Sequence, residues 1–401
     1  MPFYATILHK ALPYLILRSY IMAKELALYT FIDAFGYEIY QQHPYFLEDI
    51  IEEAKPLQSV LGFTNTCLPS ILSGKYPQEH GEASPFFYSD PSPFGWMMKY
   101  LSYLPKWLDY SKVRSMLSSM VKHLHHYRGN FQLYAIPFDK LIYFDVTQKQ
   151  DYFVSNGPFE TIFDACVKHQ INYHCSDWRQ SETENINTMH TKVQEAKIRF
   201  GWLHLPTLDE IMHTHGTQSD QTTQKIQWLD AQIRGIYNEA LKHYDKVSLY
   251  ILSDQGMYDV TQRVDLINEI ESLELIYGQD YVAMYEATMA RFWFKTAEAK
   301  EKITQKLKTI ESGDILDDRE LKKMKSYFKD GRFGELIFLM QPSIMIHPNY
   351  FENKPMNGMH GYHPNASGSN ALLLSNQTIP HDVTSITDIR RTMEYELRAS
   401  L

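Results

Sequence analysis

Five side chains stand out by type and placement as candidates to hold divalent cations: Asp33, Asp209, His213, Asp254 and His360. Asp209 and His213 are four residues apart, so on a helical turn both lie on one face and can reach a single ion. His360 sits in Gly358-Met359-His360-Gly361-Tyr362, where the flanking glycines permit close backbone approach. Taken singly, each has an ordinary explanation: a surface Asp–His contact, a loop histidine, an aspartate capping the next helix. A hydroxyl joins them at Thr64, which opens the run Thr64-Asn65-Thr66-Cys67-Leu68-Pro69-Ser70-Ile71-Leu72-Ser73-Gly74. At the start of a helix a hydroxyl stands among unpaired N–H groups that favour an anion, although an N-cap threonine suits the same position. Gly74-Lys75 is not a phosphate-cradling loop, because the upstream glycine and the following Ser/Thr are missing.

The elements that must position these groups are legible around them. Glu25–Ile32 is an apolar run that leads into Asp33, Val247–Ser253 leads into Asp254, and Ile198–Leu205 leads through a Pro-containing loop to Asp209. Continuous apolar runs of this length predict strands buried on both faces of a largely parallel sheet. In open α/β sheets chemistry gathers beyond the carboxyl ends of the strands, so three acids can converge on one crevice. Helical spacing at Thr223–His243 and Phe159–His169, with a short strand at Ile171–His174, completes an α/β alternation. Residues 84–150 are crowded with aromatics, Met and Pro around a helix near Val113–His126, and predict an insertion covering the site. Residues 296–333, rich in Lys and Glu, predict solvated helices followed by a Gly-containing turn. The expected architecture is one α/β domain over residues 22–401, with a mostly parallel central sheet flanked by helices. A cap is inserted at about 84–150, and residues 1–21 form an extension whose role the sequence leaves open.

Taken in order, these segments resemble the type I phosphodiesterase/nucleotide pyrophosphatase branch of the alkaline phosphatase superfamily, with its phosphonoacetate hydrolase relatives. FIDAFG, with Asp33, is similar to the family's opening metal-ligand motif. TNTCLPSILSGKYPQEHG resembles the nucleophile segment, with Thr64 ten residues before Gly74. PTLDEIMHTHG resembles the D-x-x-x-H pair, SDQGM the SDHGM pair, and MHGY the late segment carrying the final His. The resemblance implies an alkaline phosphatase-like fold and two divalent ions, zinc above all. One ion would be held by Asp209, His213 and His360, the other by Asp33, Asp254 and the Thr64 hydroxyl. It also implies that Thr64 attacks phosphorus and forms a phospho-threonine intermediate. The implied substrate is a small phosphorylated molecule: a nucleotide, a nucleotide-sugar or another phosphodiester.

Two departures from the family pattern bear on the chemistry. Gln255 replaces the His of SDHGM, and an amide oxygen suits harder ions than zinc, so Mg²⁺ or Mn²⁺ becomes an option at that site. His215, two residues past His213, is the one candidate for a replacement nitrogen. The Asn that family diesterases place soon after the HG pair is also missing, since Glu82-Ala83-Ser84-Pro85 follows Gly81. Asn65 and Ser84 are the expected substitutes for contacting a phosphoryl oxygen.

A net charge of −9 argues against general nucleic-acid binding, which needs a basic footprint. Three cysteines, Cys67, Cys166 and Cys175, without CxxC spacing, argue against a disulfide framework and point to a reducing, cytoplasmic compartment. An extracytoplasmic location follows instead if residues 1–21 act as a signal segment. No run of about 20 apolar residues predicts a membrane span. Other activities open to the same fold are phosphomonoester or phosphonate hydrolysis and phosphoryl-group transfer. The rival from another class is a catalytically weakened ligand-binding homologue.

Overall fold

The computed structural model of the chain describes residues 24–93, 95, 111–352 and 354–398. The expected extension, residues 1–21, lies outside the described residues, as do residues 96–110 of the expected cap. Ten strands form the two larger sheets. In chain order they are β1 (Glu25–Ile32), β2 (Glu53–Leu57), β3 (Tyr173–Cys175), β4 (Phe200–Leu205), β5 (Lys246–Leu252), β6 (Tyr281–Tyr285), β7 (Met289–Phe294), β8 (Gly313–Leu316), β9 (Leu336–Met340) and β10 (Ala371–Ser375).

The six-stranded sheet has the order β2-β10-β5-β1-β4-β3. β1 pairs in parallel with β4 and β5, and β3 in parallel with β4. β10 runs antiparallel to both β5 and β2, so it alone is reversed. Because side chains alternate across a strand, β1 feeds two cores. Leu26, Leu28 and Ile32 pack with Ile226, Leu229, Ile233 and Ile236 of the helix Asp220–Ala240. Ala27, Tyr29 and Phe31 pack with Cys67, Ile71 and Leu72 of the helix Thr64–Ser73 and with Met393 and Leu397 of the helix Ile389–Arg398. This is the expected mostly parallel sheet, flanked on both faces.

Register places the chemistry. Ile32 pairs with Leu205, and Phe31 with Leu252, so β1, β4 and β5 end level. Asp33, the loop leading to Asp209, and Asp254 therefore emerge together at one sheet edge.

The second sheet, β6-β7-β9-β8, is antiparallel throughout. Its core mixes Tyr285, Phe292, Trp293 and Phe338 with Phe86, Leu117, Val121, Phe131 and Phe144. The described part of 84–150, where the cap was expected, shares one hydrophobic core with this sheet. The anticipated helix is present at Ser111–His125. Residues 296–333 hold helices Ala297–Leu307 and Asp318–Lys323, as expected, but also the strand β8, which was not expected. Among the described residues, no helix is long and apolar enough to cross a membrane.

Candidate active site

Thr64 is the first residue of its helix, and the extended Phe63 precedes it without a side-chain cap. The Thr64 hydroxyl does not cap the helix either; it donates to Asp33 Oδ1 at 3.0 Å. The N–H groups of Thr66 and Cys67 bond to Phe63 O at 2.7 and 3.0 Å. Those of Thr64 and Asn65 are left as the orphan donors that every helix start presents. The Asn65 amide nitrogen is buried without a partner, in the wall of the same cavity.

The rear of this helix is fastened by His80. Its Nδ1 accepts the Glu82 N–H at 3.1 Å, so Nε2 carries the proton and donates to Ser70 Oγ at 2.9 Å. Burial, aided by Lys75, pushes the His80 pKa down to about 3, which keeps the ring neutral.

Asp254 lies behind Thr64 and is fully buried. Its Oδ1 accepts the Ala34 N–H at 3.2 Å, and its backbone carbonyl accepts the Ser59 hydroxyl at 2.6 Å. The Gln255 amide nitrogen donates to Asp254 Oδ2 at 3.2 Å and to Thr64 Oγ1 at 3.4 Å. Burial, then repulsion from Asp254 and Asp209, raises the Asp33 pKa well above the usual carboxylate range. Burial raises that of Asp254 as well, with His360 the largest opposing influence. The turns that carry these acids touch through main chain: a Cβ on Gly36 would stand 2.4 Å from Gly256 Cα. Only glycine fits there.

The second cluster joins the helix Thr207–His215 to the late loop. Asp209 Oδ1 stands 3.2 Å from His213 Nε2 and 3.2 Å from His360 Nε2. The three ligand atoms lie within 4.8 Å of one another. His213 Nδ1 is 2.7 Å from Gly358 O, a contact that fixes the tautomer and turns Nε2 toward Asp209. Gly358 is required for that approach, since a Cβ there would meet Met212 O at 2.5 Å. Burial alone would suppress the charge on Asp209, but His213 and His360 outweigh it and hold the carboxyl well below its usual range. Conversely Asp209 overcomes the burial of His213 and raises its pKa.

A cavity of about 920 Å³ opens onto Asp33, Thr64, Asn65, Asp209, His213 and His360, with Tyr134, Tyr152, Trp178 and Phe351 among its outer walls. The structure thus gathers Asp33, Thr64, Asp254 and Gln255 in one cluster and Asp209, His213 and His360 in another, with Asn65 beside them. One expectation is corrected and one lesser candidate drops out. Ser84 is buried, and its hydroxyl donates to Glu286 and accepts from Arg291 Nη2 at 2.8 Å, so it is not available to a phosphoryl oxygen. His215 is exposed and does not line the cavity, so it offers no nitrogen to the Gln255 cluster.

Three features of the site went unread in the sequence. His204, stacked on Phe31 at 5.1 Å, lines the cavity, and burial lowers its pKa to about 4. Trp178 reaches the cavity from the loop after β3. The buried Glu286–Arg291 pair, 3.0 Å apart, holds the strand Phe86–Tyr88 through a 3.0 Å bond from Arg291 to Phe86 O. No local spacing signals the last, because the partners of Ser84 lie some 200 residues away in sequence.

Comparison with solved structures places the same architecture elsewhere. Murine ectonucleotide pyrophosphatase/phosphodiesterase 5, in an inactive variant complexed with AMP, superposes with a TM-score of 0.64 at 14% identity, covering 93% of this chain and 95% of that one. The human counterpart gives a TM-score of 0.65 at 12% identity, with the same coverage. At such identities the likeness is one of fold. No curated protein matches the sequence. The family profile described as type I phosphodiesterase / nucleotide pyrophosphatase matches residues 53–363, a span that holds Thr64, Asp209, His213, Asp254 and His360. With the motifs in order and more than half of the chain matched, this protein belongs to the type I phosphodiesterase/nucleotide pyrophosphatase family.

Proposed function

We propose that the chain is a divalent-metal-dependent hydrolase of phosphodiester or pyrophosphate bonds in small phosphorylated molecules, acting through a phospho-threonine on Thr64. The observation that carries this reading is the direction of the Thr64 hydroxyl, which turns from the helix it begins toward Asp33 at 3.0 Å, beside the unpartnered Asn65 amide.

The donor sets fit two cations. Asp209 Oδ1 is buried without a hydrogen bond although two imidazole nitrogens stand 3.2 Å away. His213 is held through Nδ1 by Gly358 O, so Nε2 is the atom it offers beside that carboxylate, where a cation would take the place of a proton. Asp209, His213 and His360 would hold one ion, zinc by their chemistry. Asp33, Asp254 and the Thr64 hydroxyl would hold the other, with the Gln255 amide beside them and Mg²⁺ or Mn²⁺ as alternatives to zinc. Such ions supply Lewis-acid stabilisation of phosphoryl and alkoxide oxygens.

The chain's own groups do the rest. Asp33 accepts the hydrogen bond of the Thr64 hydroxyl, which places its carboxylate to take that proton as Oγ1 attacks. The Thr64 Oγ1–P bond forms and the bond from phosphorus to the leaving oxygen breaks. The Asn65 amide and the orphan N–H groups of the helix start bind the non-bridging oxygens. Water then attacks phosphorus from the vacated side, releasing phosphate or a phosphomonoester and regenerating Thr64. The complex of the murine neighbour with AMP supports a nucleotide-type substrate. The three cysteines are free thiols, which supports a reducing, cytoplasmic compartment.

One observation favours a second reading. Gln255 points amide N–H groups at Asp254 and Thr64, where the family pattern has an imidazole, which suits a catalytically weakened binding homologue. The test is dialysis against chelator, re-addition of Zn²⁺, Mn²⁺ or Mg²⁺, and assay on bis-p-nitrophenyl phosphate and p-nitrophenyl phosphate. Metal-restored cleavage, with preference for the diester, is expected. Preference for the monoester would move the activity to phosphomonoester hydrolysis, and cleavage of neither compound, with nucleotides still bound, would favour the weakened homologue.

A further inference from the structure

The helix Ser111–His125 is apolar on two faces. Leu117 and Val121 are buried in the core shared with the antiparallel sheet, with Val113 packed beside them. Met116, Met120 and Leu124, each four residues from the next, form a second row that faces outward, 65%, 41% and 53% exposed. Single exposed apolar side chains are ordinary. The other large ones among the described residues, such as Val154, Leu241 and Ile276, stand on different elements; only on this helix do three share one face. A surface helix carries one apolar stripe toward its core, so a second stripe calls for an apolar environment outside the fold.

The charge around this row has one prevailing sign. Residues 110–138 contain no Asp or Glu, in a chain whose net charge is −9. Lys112 continues the row one turn earlier, and an open groove of about 540 Å³ beside it is lined by Ser119, Lys122, His123, His126, Tyr127 and Arg128. Lys112, His123, His126 and Arg128 are exposed. The acids that approach from neighbouring loops are already engaged: Asp145 with Lys149 at 2.6 Å, and Asp151 and Asp177 with Arg179 at 2.8 and 3.1 Å. Asp151 attracts Lys122 as well, which lies over the Trp178 ring at 5.2 Å. Glu352 belongs to the wall of the inner cavities instead. Five cations, Lys112, Lys122, Arg128, Lys149 and Arg179, thus stand against three carboxylates on this side of the helix.

An apolar row flanked by cations suits a helix that lies in the plane of a membrane interface. Other occupants answer only part of it. A nucleic acid would engage the cations and leave the row in water. A second copy of the chain would set like charges against each other. A folded protein partner needs about 800 Å² of fitted surface on each side, whereas a fluid bilayer accepts three side chains from one convex helix singly. We infer that the outer face of the helix Ser111–His125, with Met116, Met120 and Leu124 in its centre and Lys112 and Arg128 at its ends, docks the protein on an anionic lipid bilayer. The row enters the boundary of the acyl chains and the cations meet lipid phosphates. The helix lies on the membrane and does not span it, and docking of this kind does not depend on what Thr64 does.

The experiment is co-sedimentation of the full chain with phosphatidylcholine vesicles, with and without phosphatidylglycerol. Partitioning onto the anionic vesicles should exceed that onto neutral ones about tenfold and weaken as salt is raised. Met120→Ser combined with Leu124→Ser should lower it about tenfold, and Lys112→Gln combined with Arg128→Gln by a similar factor. All four side chains are exposed, so thermal unfolding of both double variants should match wild type. Absence of binding to the anionic vesicles, or binding that ignores the apolar pair, overturns the docking face. A chain that dimerises in solution and loses the dimer in Met120→Ser with Leu124→Ser overturns it in favour of a second copy.

Discussion

The two halves of the catalytic cavity solve the burial of charge in opposite ways. On one side Asp209 faces two imidazoles, and their attraction holds its carboxyl ionised despite burial. On the other side Asp33 and Asp254 face each other, hydrogen-bonded by hydroxyl and amide groups, and burial pushes both toward their neutral forms, against His360 in the case of Asp254. One glutamine separates the two outcomes: an imidazole in place of Gln255 would give the second half a nitrogen ligand of its own. The first half thus sets two imidazole nitrogens around one carboxylate, whereas the second sets two carboxylates against each other.

That contrast can be broken or sharpened by four changes. Thr64→Ala removes the hydroxyl on which the second half converges; turnover of bis-p-nitrophenyl phosphate should fall by at least about 10⁴-fold, while metal content by atomic absorption stays close to wild type. Retained turnover would end the nucleophile assignment. Asp209→Asn strikes the first half, and activity should fall by at least about 10²-fold, with the loss of one bound metal per chain. If metal content is unchanged, the two-cluster division is wrong. Gln255→His should erase the contrast by tightening zinc at the second half about tenfold, read as a lower zinc concentration for half-maximal activity after chelation. An unmoved zinc titration would remove Gln255 from the metal environment.

The smallest effect concerns the brace behind Thr64. His80 refuses a proton until about pH 3 in the fold but accepts one near 6.5 when unfolded. The unfolded state therefore binds more protons across that window, and stability falls as pH drops from about 6.5 toward 3, by up to about 1.4 kcal/mol per pH unit for one such group. Urea titrations across this range should show a shallower loss in His80→Gln than in wild type. His204, lowered to about 4, adds a similar slope that this variant keeps.

How much of this was legible follows from how local each signal is. Asp33 and Asp254 could be placed because each ends an apolar run that only a buried strand explains, and level strand ends then bring them together. Asp209 and His213 could be paired because helical spacing is fixed by geometry. The role of Ser84 could not be read, because the chain past Gly81 turns into a second lobe where a buried ion pair already claims its hydroxyl. β8 was hidden for a related reason: four residues between charged helices, with Asp314 exposed, carry too little alternation to announce a strand. The site's scaffold is written in short-range pattern, whereas its outer walls depend on contacts across the length of the chain.

The backbone contact between Gly36 and Gly256 reaches further than packing. The spacing of the two carboxylates in the Thr64 half is set where main chain meets main chain, not by any side chain that could be exchanged. In a saturation scan read out by catalysis, these two positions should therefore tolerate substitution as poorly as the acids themselves. A selection experiment blind to structure would rank two residues that touch neither metal nor substrate among the catalytic ones.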